Sequence, residues 1–383
     1  MRISIVQGPF LPVPPLLGGA VEKVWFSLGK EFARRGHTVT HVSRAFPGLP
    51  VREAIEGVSH SRVSGFASPA TFSRRIVLDF WYAARALRHI PHGDIVVTNT
   101  FWLPVLLRGR RRGIPYVHVA RYPKGQMKLY RRAALQTVSE PIRQAILAED
   151  PSAGARLRVI PYPLANKYLS PAVPPGSNVI LYTGRVHPEK GLHLLIDAFA
   201  RLGPRAADWK LEIVGPWEVE YGGGGEDYLA RLKAAAAPVQ ARAEFVGRIF
   251  DEQKLIARYT QAKVFVYPSL AEKGETFGLA ALEAMAAGGA PIVSALECFQ
   301  DFIRPGANGL IFNHRLDDPA DGLAATLASL LADPALLERM RQAAWTTARE
   351  YTMDRVVNLF LNDFGTLLGA PQTGTPAVAP ARP

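Results

Sequence analysis

At 383 residues the chain is long enough for two domains, each able to bury its own core. A single cysteine, Cys298, excludes an internal disulfide and a cysteine-rich zinc site, and no apolar run approaches the ~18 residues of a membrane-spanning helix. The net charge of +12 is unevenly held: residues 1–170 carry 25 Lys+Arg against 9 Asp+Glu, and residues 171–383 carry 20 against 24. A basic first half is expected to meet a polyanion or an anionic membrane surface.

The opening Arg2–Val6 reads as a buried parallel strand that stops at Gly8 rather than as a secretory leader, so a cytoplasmic protein is the expectation. A proline-dense loop follows. Gly18 and Gly19 then open a helix from Ala20 to about Arg35, with Val21, Val24, Trp25, Leu28 and Phe32 on one face. Gly36 ends it, and residues 37–43 form the next strand. Strand, glycine loop, helix, strand is a Rossmann-like start, although Gly-x-Gly-x-x-Gly is missing. Glu22 is placed either to contact substrate or to serve the first helical turn.

Residues 47–70 read as irregular, with one short strand near Val58–Val63. A helix from about Thr71 to His89 sets Arg74, Arg75, Arg85 and Arg88 among Ile76, Val77, Phe80, Trp81 and Leu87. That mixture suits a membrane interface as well as a core helix with a solvated basic face. Asp94–Thr98 is a strand with Asn99 at its carboxyl end. Trp102–Leu107 runs into Arg108, Arg110, Arg111 and Arg112, more cation than a helix C-terminus needs. Anionic lipid or a phosphate-bearing acceptor would answer it. Ile114–Ala120 is a further strand. His118, Arg121, Lys124 and Lys128 fall at or after its carboxyl end, where open α/β sheets bind ligands. Residues 134–138 read as a strand, Ser139 as an N-cap with Pro141 in the first helical turn, and Arg156–Ile160 closes the half.

Residues 161–177 hold Pro161, Pro163, Pro171, Pro174 and Pro175 and read as the linker. The pattern then restarts with a strand over 178–183, the loop Gly184-Arg185-Val-His-Pro-Glu-Lys190-Gly191, and a helix over Leu192–Leu202. Arg185 and Lys190 offer a fork and a point charge to a polyanion. Lys210–Val214 is a strand. The glycine tract 222–225 lacks the Lys-Ser/Thr of a phosphate-binding loop and reads as a flexible connection. Glu244–Val246 ends at Gly247-Arg248, Asp251 starts a helix, and Lys263–Tyr267 is a strand. Next comes Glu275-Thr-Phe-Gly-Leu-Ala-Ala-Leu-Glu283. Thr276 reads as the N-cap, and Phe277, Gly278 and Leu279 as donors of unbonded amides at a positive helix end, suited to a phosphate. Glu283 should lie roughly 12 Å along the axis from Glu275. The strand 291–294, a strand near 308–312 and helices near 318–331, 334–351 and 354–368 complete the pattern.

The run from Pro268-Ser269 through Glu275, Phe277, Gly278, Glu283 and Gly288-Gly-Ala-Pro291 resembles the donor-binding signature of the retaining nucleotide-sugar glycosyltransferases of family four. Gly-Arg, four residues, Lys-Gly at 184–191 resembles that family's diphosphate clamp, and Gly18-Gly19 with Glu22 resembles its opening. The resemblance implies a GT-B fold: two Rossmann-like domains facing across a cleft, the C-terminal helix packing back on the first. It implies an acceptor domain over 1–165, a linker over 166–177, a nucleotide-sugar domain over 178–352, a crossover helix over 353–368 and a disordered tail over 369–383. By the same resemblance Gly18 and Gly19 approach the diphosphate, His118 touches sugar or acceptor, and Gly247 and Arg248 lie by the base. Glu283 bonds the ribose, Arg185 and Lys190 hold the diphosphate, and Glu275 with the amides of 277–279 grips the sugar. No cofactor beyond the nucleotide-diphosphate sugar is expected, and no Asp-x-Asp metal signature is present. Expected partners are a nucleotide sugar, a lipid-linked or other glycan acceptor and an anionic membrane surface, not nucleic acid. Two other readings stay open: an epimerase or phosphorylase on the same fold, and a non-catalytic anion- or membrane-binding protein.

Overall fold

The computed structural model describes residues 1–69, 71–107 and 112–369. Arg108, Arg110 and Arg111 of the expected basic run, and all of the tail beyond Gly369, lie outside the described residues. The chain divides into two α/β units, one of Met1–Pro163 joined by the segment that begins at Met353, the other Leu164–Thr352.

The first unit is built on β1 (Arg2–Val6), α1 (Ala20–Arg34), β2 (Thr38–Arg44), β3 (Arg52–Ile55), β4 (Val58–Val63), α2 (Phe72–Ala86), β5 (Ile95–Thr98), α3 (Leu103–Leu106), β6 (Ile114–Val119), β7 (Ala134–Thr137), α4 (Glu140–Glu149) and β8 (Leu157–Val159). The strands form one sheet in the order β3-β4-β2-β1-β5-β6-β7-β8. All pairs are parallel except β3 with β4. The β3 strand is a departure from the irregular stretch expected there. It is a short edge hairpin whose charged Arg52 and Glu53 hide its pattern. Ser139 does precede α4, but its hydroxyl makes no cap bond and is buried without a partner among the described residues.

The second unit repeats the plan: β9 (Ser177–Thr183), α5 (Leu192–Leu202), β10 (Lys210–Val214), α6 (Glu226–Ala235), β11 (Ala243–Gly247), α7 (Glu252–Gln261), β12 (Ala262–Tyr267), α8 (Leu279–Ala286), β13 (Ala290–Ser294), β14 (Leu310–Phe312), α9 (Pro319–Leu331) and α10 (Pro334–Ala348). Its sheet runs β11-β10-β9-β12-β13-β14, the doubly wound order. The proline-dense stretch is fastened to this unit. The Ser170 amide donates to the Ala286 carbonyl at 3.1 Å, the Trp345 indole to the Ser170 carbonyl at 2.9 Å, and the buried Arg341 guanidinium to the carbonyls of Pro174 and Pro175. Proline removes amide donors from this stretch, so its carbonyls take side-chain donors instead.

The last helix, α11 (Met353–Leu367), packs on the first unit. Its Phe360 and Phe364 meet Trp25, Phe32 and Tyr116 edge-on or tilted, and the Tyr116 hydroxyl donates to Asp363 at 2.7 Å. Arg35 at the end of α1 donates to Asp354 at 2.8 Å.

His41 on β2 and His60 on β4 are register partners whose rings stack 5.2 Å apart. All four ring nitrogens are buried without partners among the described residues. Burial, then the neighbouring Arg62, pushes His60 down to about 4, and burial, then His60, holds His41 well below the ordinary imidazole range. The unfolded chain takes up these protons near pH 6.5 and the folded chain does not, so both histidines withdraw stability as pH falls below 6.5, His60 by about 3 kcal/mol between 6.5 and 4. The melting temperature should therefore drop steeply across that window. A His60→Phe variant should drop less; an unchanged slope would remove the pair from the account.

Candidate functional site

In the second unit the strand order reverses at β9, between β10 and β12. Open α/β sheets bind ligands outside the carboxyl ends of their strands at such a reversal. The loop after β9 carries Gly184, Arg185 and Lys190, and the loop after β12 carries Ser269 to Gly278. Buried Ser294, at the end of β13, donates to the Ser269 carbonyl at 2.6 Å, and the Leu270 amide donates to the Glu189 carbonyl at 2.8 Å. The two loops are therefore bonded through their backbones.

Lys190 is only 7 % exposed. Its ammonium donates to Glu275 Oε2 at 2.8 Å and stands 5.4 Å from the centre of the Tyr267 ring. Desolvating an ammonium is costly unless a carboxylate answers it, and Glu275 is that carboxylate. Arg185 is more open. Its guanidinium donates to Glu189 Oε1 at 2.6 Å and to the Gly222 carbonyl at 2.7 Å, and its own carbonyl accepts from the Tyr182 hydroxyl at 2.8 Å. The structure thus brings together Gly184, Arg185, Lys190 and Glu275.

The glycine tract 222–225 is not a flexible connection. The Gly223 amide donates to the Glu218 carbonyl at 2.9 Å, Gly224 to Val186 at 2.8 Å and Gly225 to Trp217 at 2.7 Å. A side chain at Gly223 would collide with the Trp217 backbone. Close approach of two backbones is the reason for glycine here, and it presents the Gly222 carbonyl to Arg185.

The helix that follows Glu275 also starts later than expected. Its N-cap is Gly278 at φ 84°, not Thr276. Phe277 is drawn into an aromatic cluster with Phe302 and Tyr351, and the chain must then turn left-handed, where a side chain would meet the Phe299 ring. Glu275 is therefore outside the helix, and a 12 Å axial spacing to Glu283 does not apply. The amides of Leu279 and Ala280 open α8 and have no acceptor within their own helix, since Ala281 and Leu282 take the Gly278 carbonyl. Glu283 accepts from the buried Tyr259 hydroxyl at 3.1 Å, and that hydroxyl also meets Thr183.

Gly247 ends β11 and its carbonyl accepts from the Gly215 amide at 2.9 Å. Arg248 lies between the exposed rings of Tyr221 and Phe250, 4.0 and 4.4 Å from their centres. Among the described residues no group of three or more His, Cys, Asp or Glu side chains is placed to hold a metal ion.

Gly18, Gly19 and His118 belong to the first unit. Gly19 is the N-cap of α1. His118 is not an open strand-end group. It is buried, its ring nitrogens within 2.6 Å of Gln136 and 3.3 Å of the Tyr162 hydroxyl, and burial pushes it down to about 4. Sequence reasoning missed Glu189, Gly222 and Tyr259. The first was open to discovery: Glu189 is the acidic residue nearest Arg185 in the sequence and lies in the same loop. Nothing in the sequence marked Tyr259 or the Gly222 carbonyl.

Two family models match adjacent parts of the chain: "Glycosyltransferase Family 4" over residues 18–164 and "Glycosyl transferases group 1" over residues 170–346. A phosphatidyl-myo-inositol mannosyltransferase of Mycobacterium tuberculosis is 30 % identical over 202 residues, 51 % of this chain and 49 % of that protein. The GDP-mannose:cellobiosyl-diphosphopolyprenol alpha-mannosyltransferase of Xanthomonas campestris is 30 % identical over 223 residues, 58 % of this chain and 56 % of that protein. The match thus spans about half the length of these curated relatives. The solved sucrose-phosphate synthase of Thermosynechococcus elongatus superposes with a TM-score of 0.78 at 20 % identity, covering 97 % of this chain and 100 % of that one. Two doubly wound units, a crossover helix and matched models over both halves lead to one conclusion: the chain belongs to glycosyltransferase family four and has the GT-B fold.

Proposed function

We propose that the chain is a retaining glycosyltransferase that moves a hexose from a nucleoside-diphosphate sugar to a hydroxyl of a lipid-linked or cell-surface glycan precursor. The observation that carries the reading is the Lys190–Glu275 pair beside Arg185 at the strand reversal of the second unit. A departing diphosphate gathers negative charge. Arg185, Lys190 and the amides at the start of α8 supply fixed positive ends to it, in the role a metal ion plays elsewhere. Glu275 then accepts from sugar hydroxyls, and Glu283, steadied by Tyr259, from the ribose. The bond from the anomeric carbon to the phosphate oxygen breaks and the bond to the acceptor oxygen forms on the same face. The acceptor proton passes to the departing phosphate oxygen. The two relatives support the donor and acceptor classes, one being named for GDP-mannose and a diphosphopolyprenol, the other for phosphatidyl-myo-inositol.

A peripheral place on the inner membrane face fits the first unit. Among the described residues no single helix is long and apolar enough to cross a membrane. Helix α2 leaves Phe72, Val77, Phe80 and Trp81 exposed, with Lys124 over the Phe72 ring and exposed Arg74 alongside. An aromatic face flanked by cations suits an anionic lipid surface.

Replacing Lys190 with alanine should lower kcat by about 100-fold or more, with the circular dichroism spectrum unchanged. Transfer should survive chelation by EDTA. Wild-type turnover in the variant would remove the assignment of the site. Vesicles containing phosphatidylglycerol should cosediment the protein. A Phe80→Ser, Trp81→Ser double variant should remain largely in the supernatant, and equal cosedimentation of the two would contradict the membrane face.

A further inference from the structure

Lys190 and the Leu270–Glu189 bond hold the loop after β12 from the side of β9. A second fastening reaches the same loop from the side of β14, and the transfer proposed above leaves it without a role. Strands β12, β13 and β14 are parallel neighbours in the sheet, so their carboxyl ends share one edge. The loop after β12 closes on one acceptor: the Gly274 and Glu275 amides both donate to the Ala271 carbonyl, at 3.0 and 2.9 Å. Residues 271–275 are therefore one turn, and the backbone of Glu275 moves with it.

Glu272 stands inside this turn and meets Arg315, which follows β14. Arg315 Nε donates to Glu272 Oε1 and Nη2 to Oε2, both at 2.8 Å. The remaining arm, Nη1, donates to the carbonyl of Ala295, just past β13, at 3.0 Å. One guanidinium thus joins the ends of three neighbouring strands. His314 Nε2 lies 2.9 Å from the same Glu272 Oε1, and the Arg315 amide donates to Asn313 Oδ1 at 3.0 Å. The Arg315 bond holds the Glu272 carboxyl below its ordinary range, against the pull of burial.

An ion pair half open to water stabilises a fold little, and the Arg315 and Glu272 side chains are 49 % and 51 % exposed. The geometry of the pair is another matter. Two parallel N–H···O bonds fix direction as well as distance, which the point charge of a lysine does not. Such a contact adds more to placement than to stability, and it lies three residues from Glu275. A misplacement of about 1 Å at a reacting centre costs on the order of 100-fold in rate. We infer that Arg315 and Glu272 are positioning residues for the transfer: the fork fixes the 271–275 turn, and the turn sets the Glu275 carboxylate that meets Lys190. The role rests on the transfer reading proposed above, and neither residue receives phosphate or sugar.

Arg315→Lys keeps the charge and loses the fork, and Glu272→Gln keeps the shape and loses the charge. Both are made in the full chain, with GDP-mannose and UDP-glucose as donors and release of GDP or UDP followed in the presence of phosphatidylinositol vesicles. Each variant should lower kcat about 10-fold or more, with donor KM and the calorimetric Kd of GDP or UDP within about 2-fold of wild type. The melting temperature should stay within about 3 °C. The amides of residues 271–275 should exchange with deuterium about 5-fold faster. The double variant should be little slower than either single one, because both act through one contact. Wild-type kcat or wild-type amide exchange in either variant would overturn the role and leave the transfer reading standing. So would a fall in nucleotide affinity and melting temperature together with kcat. A wild-type chain that binds neither GDP nor UDP would remove the transfer reading and this role with it.

Discussion

An ammonium taken out of water needs a carboxylate, and this requirement organises the second unit. Lys190 and Glu275 are 85 residues apart in sequence and 2.8 Å apart in space. Breaking a pair of this burial by removing one partner typically costs about 3–5 kcal/mol. The pair therefore pins the loop after β9 to the loop after β12. The backbone bond from Leu270 to Glu189 pins them again, and Ser294 ties the second loop to the end of β13. With both loops fixed, Arg185, the Gly222 carbonyl and the start of α8 have set positions at the strand reversal.

The same pair has a chemical consequence. Arg185 and Lys190 each rest on a carboxylate, Glu189 and Glu275, so the positive charge of the site is compensated and held in place. In the proposed transfer, a diphosphate reaching these cations would exchange carboxylate oxygens for phosphate oxygens on binding, before the bond breaks. At the first unit's own strand reversal, between β2 and β5, stand buried Gln7 and Glu22 and the amide oxygens of Gln7 and Asn99, unpartnered among the described residues.

Much of this was legible in the sequence. Strands such as Lys210–Val214 and helices such as Leu192–Leu202 follow directly from apolar runs and periodicity. Arg185, Lys190, Glu275 and Glu283 were singled out by resemblance to family motifs, and the structure pairs Lys190 with Glu275. Three features were not legible, each for a physical reason. Thr276 has the better cap chemistry, but burial of Phe277 against Phe302 and Tyr351 moves the helix start to Gly278. The glycines at 222–225 read as slack because composition does not reveal that Val186 and Trp217 accept their amides. His118 stands near a strand end, as an open ligand group would, yet Gln136 and Tyr162 claim its ring. In each case a long-range contact outweighs a sound local preference.

Calorimetric titration of a nucleoside diphosphate and the matching monophosphate into the intact protein tests the central claim most directly, because the claim concerns where phosphate charge is received. The account predicts that the diphosphate binds at least about 10-fold tighter, and that the gap closes when Lys190 is replaced by alanine. Equal affinity for the two ligands, or a gap that survives the replacement, would contradict it.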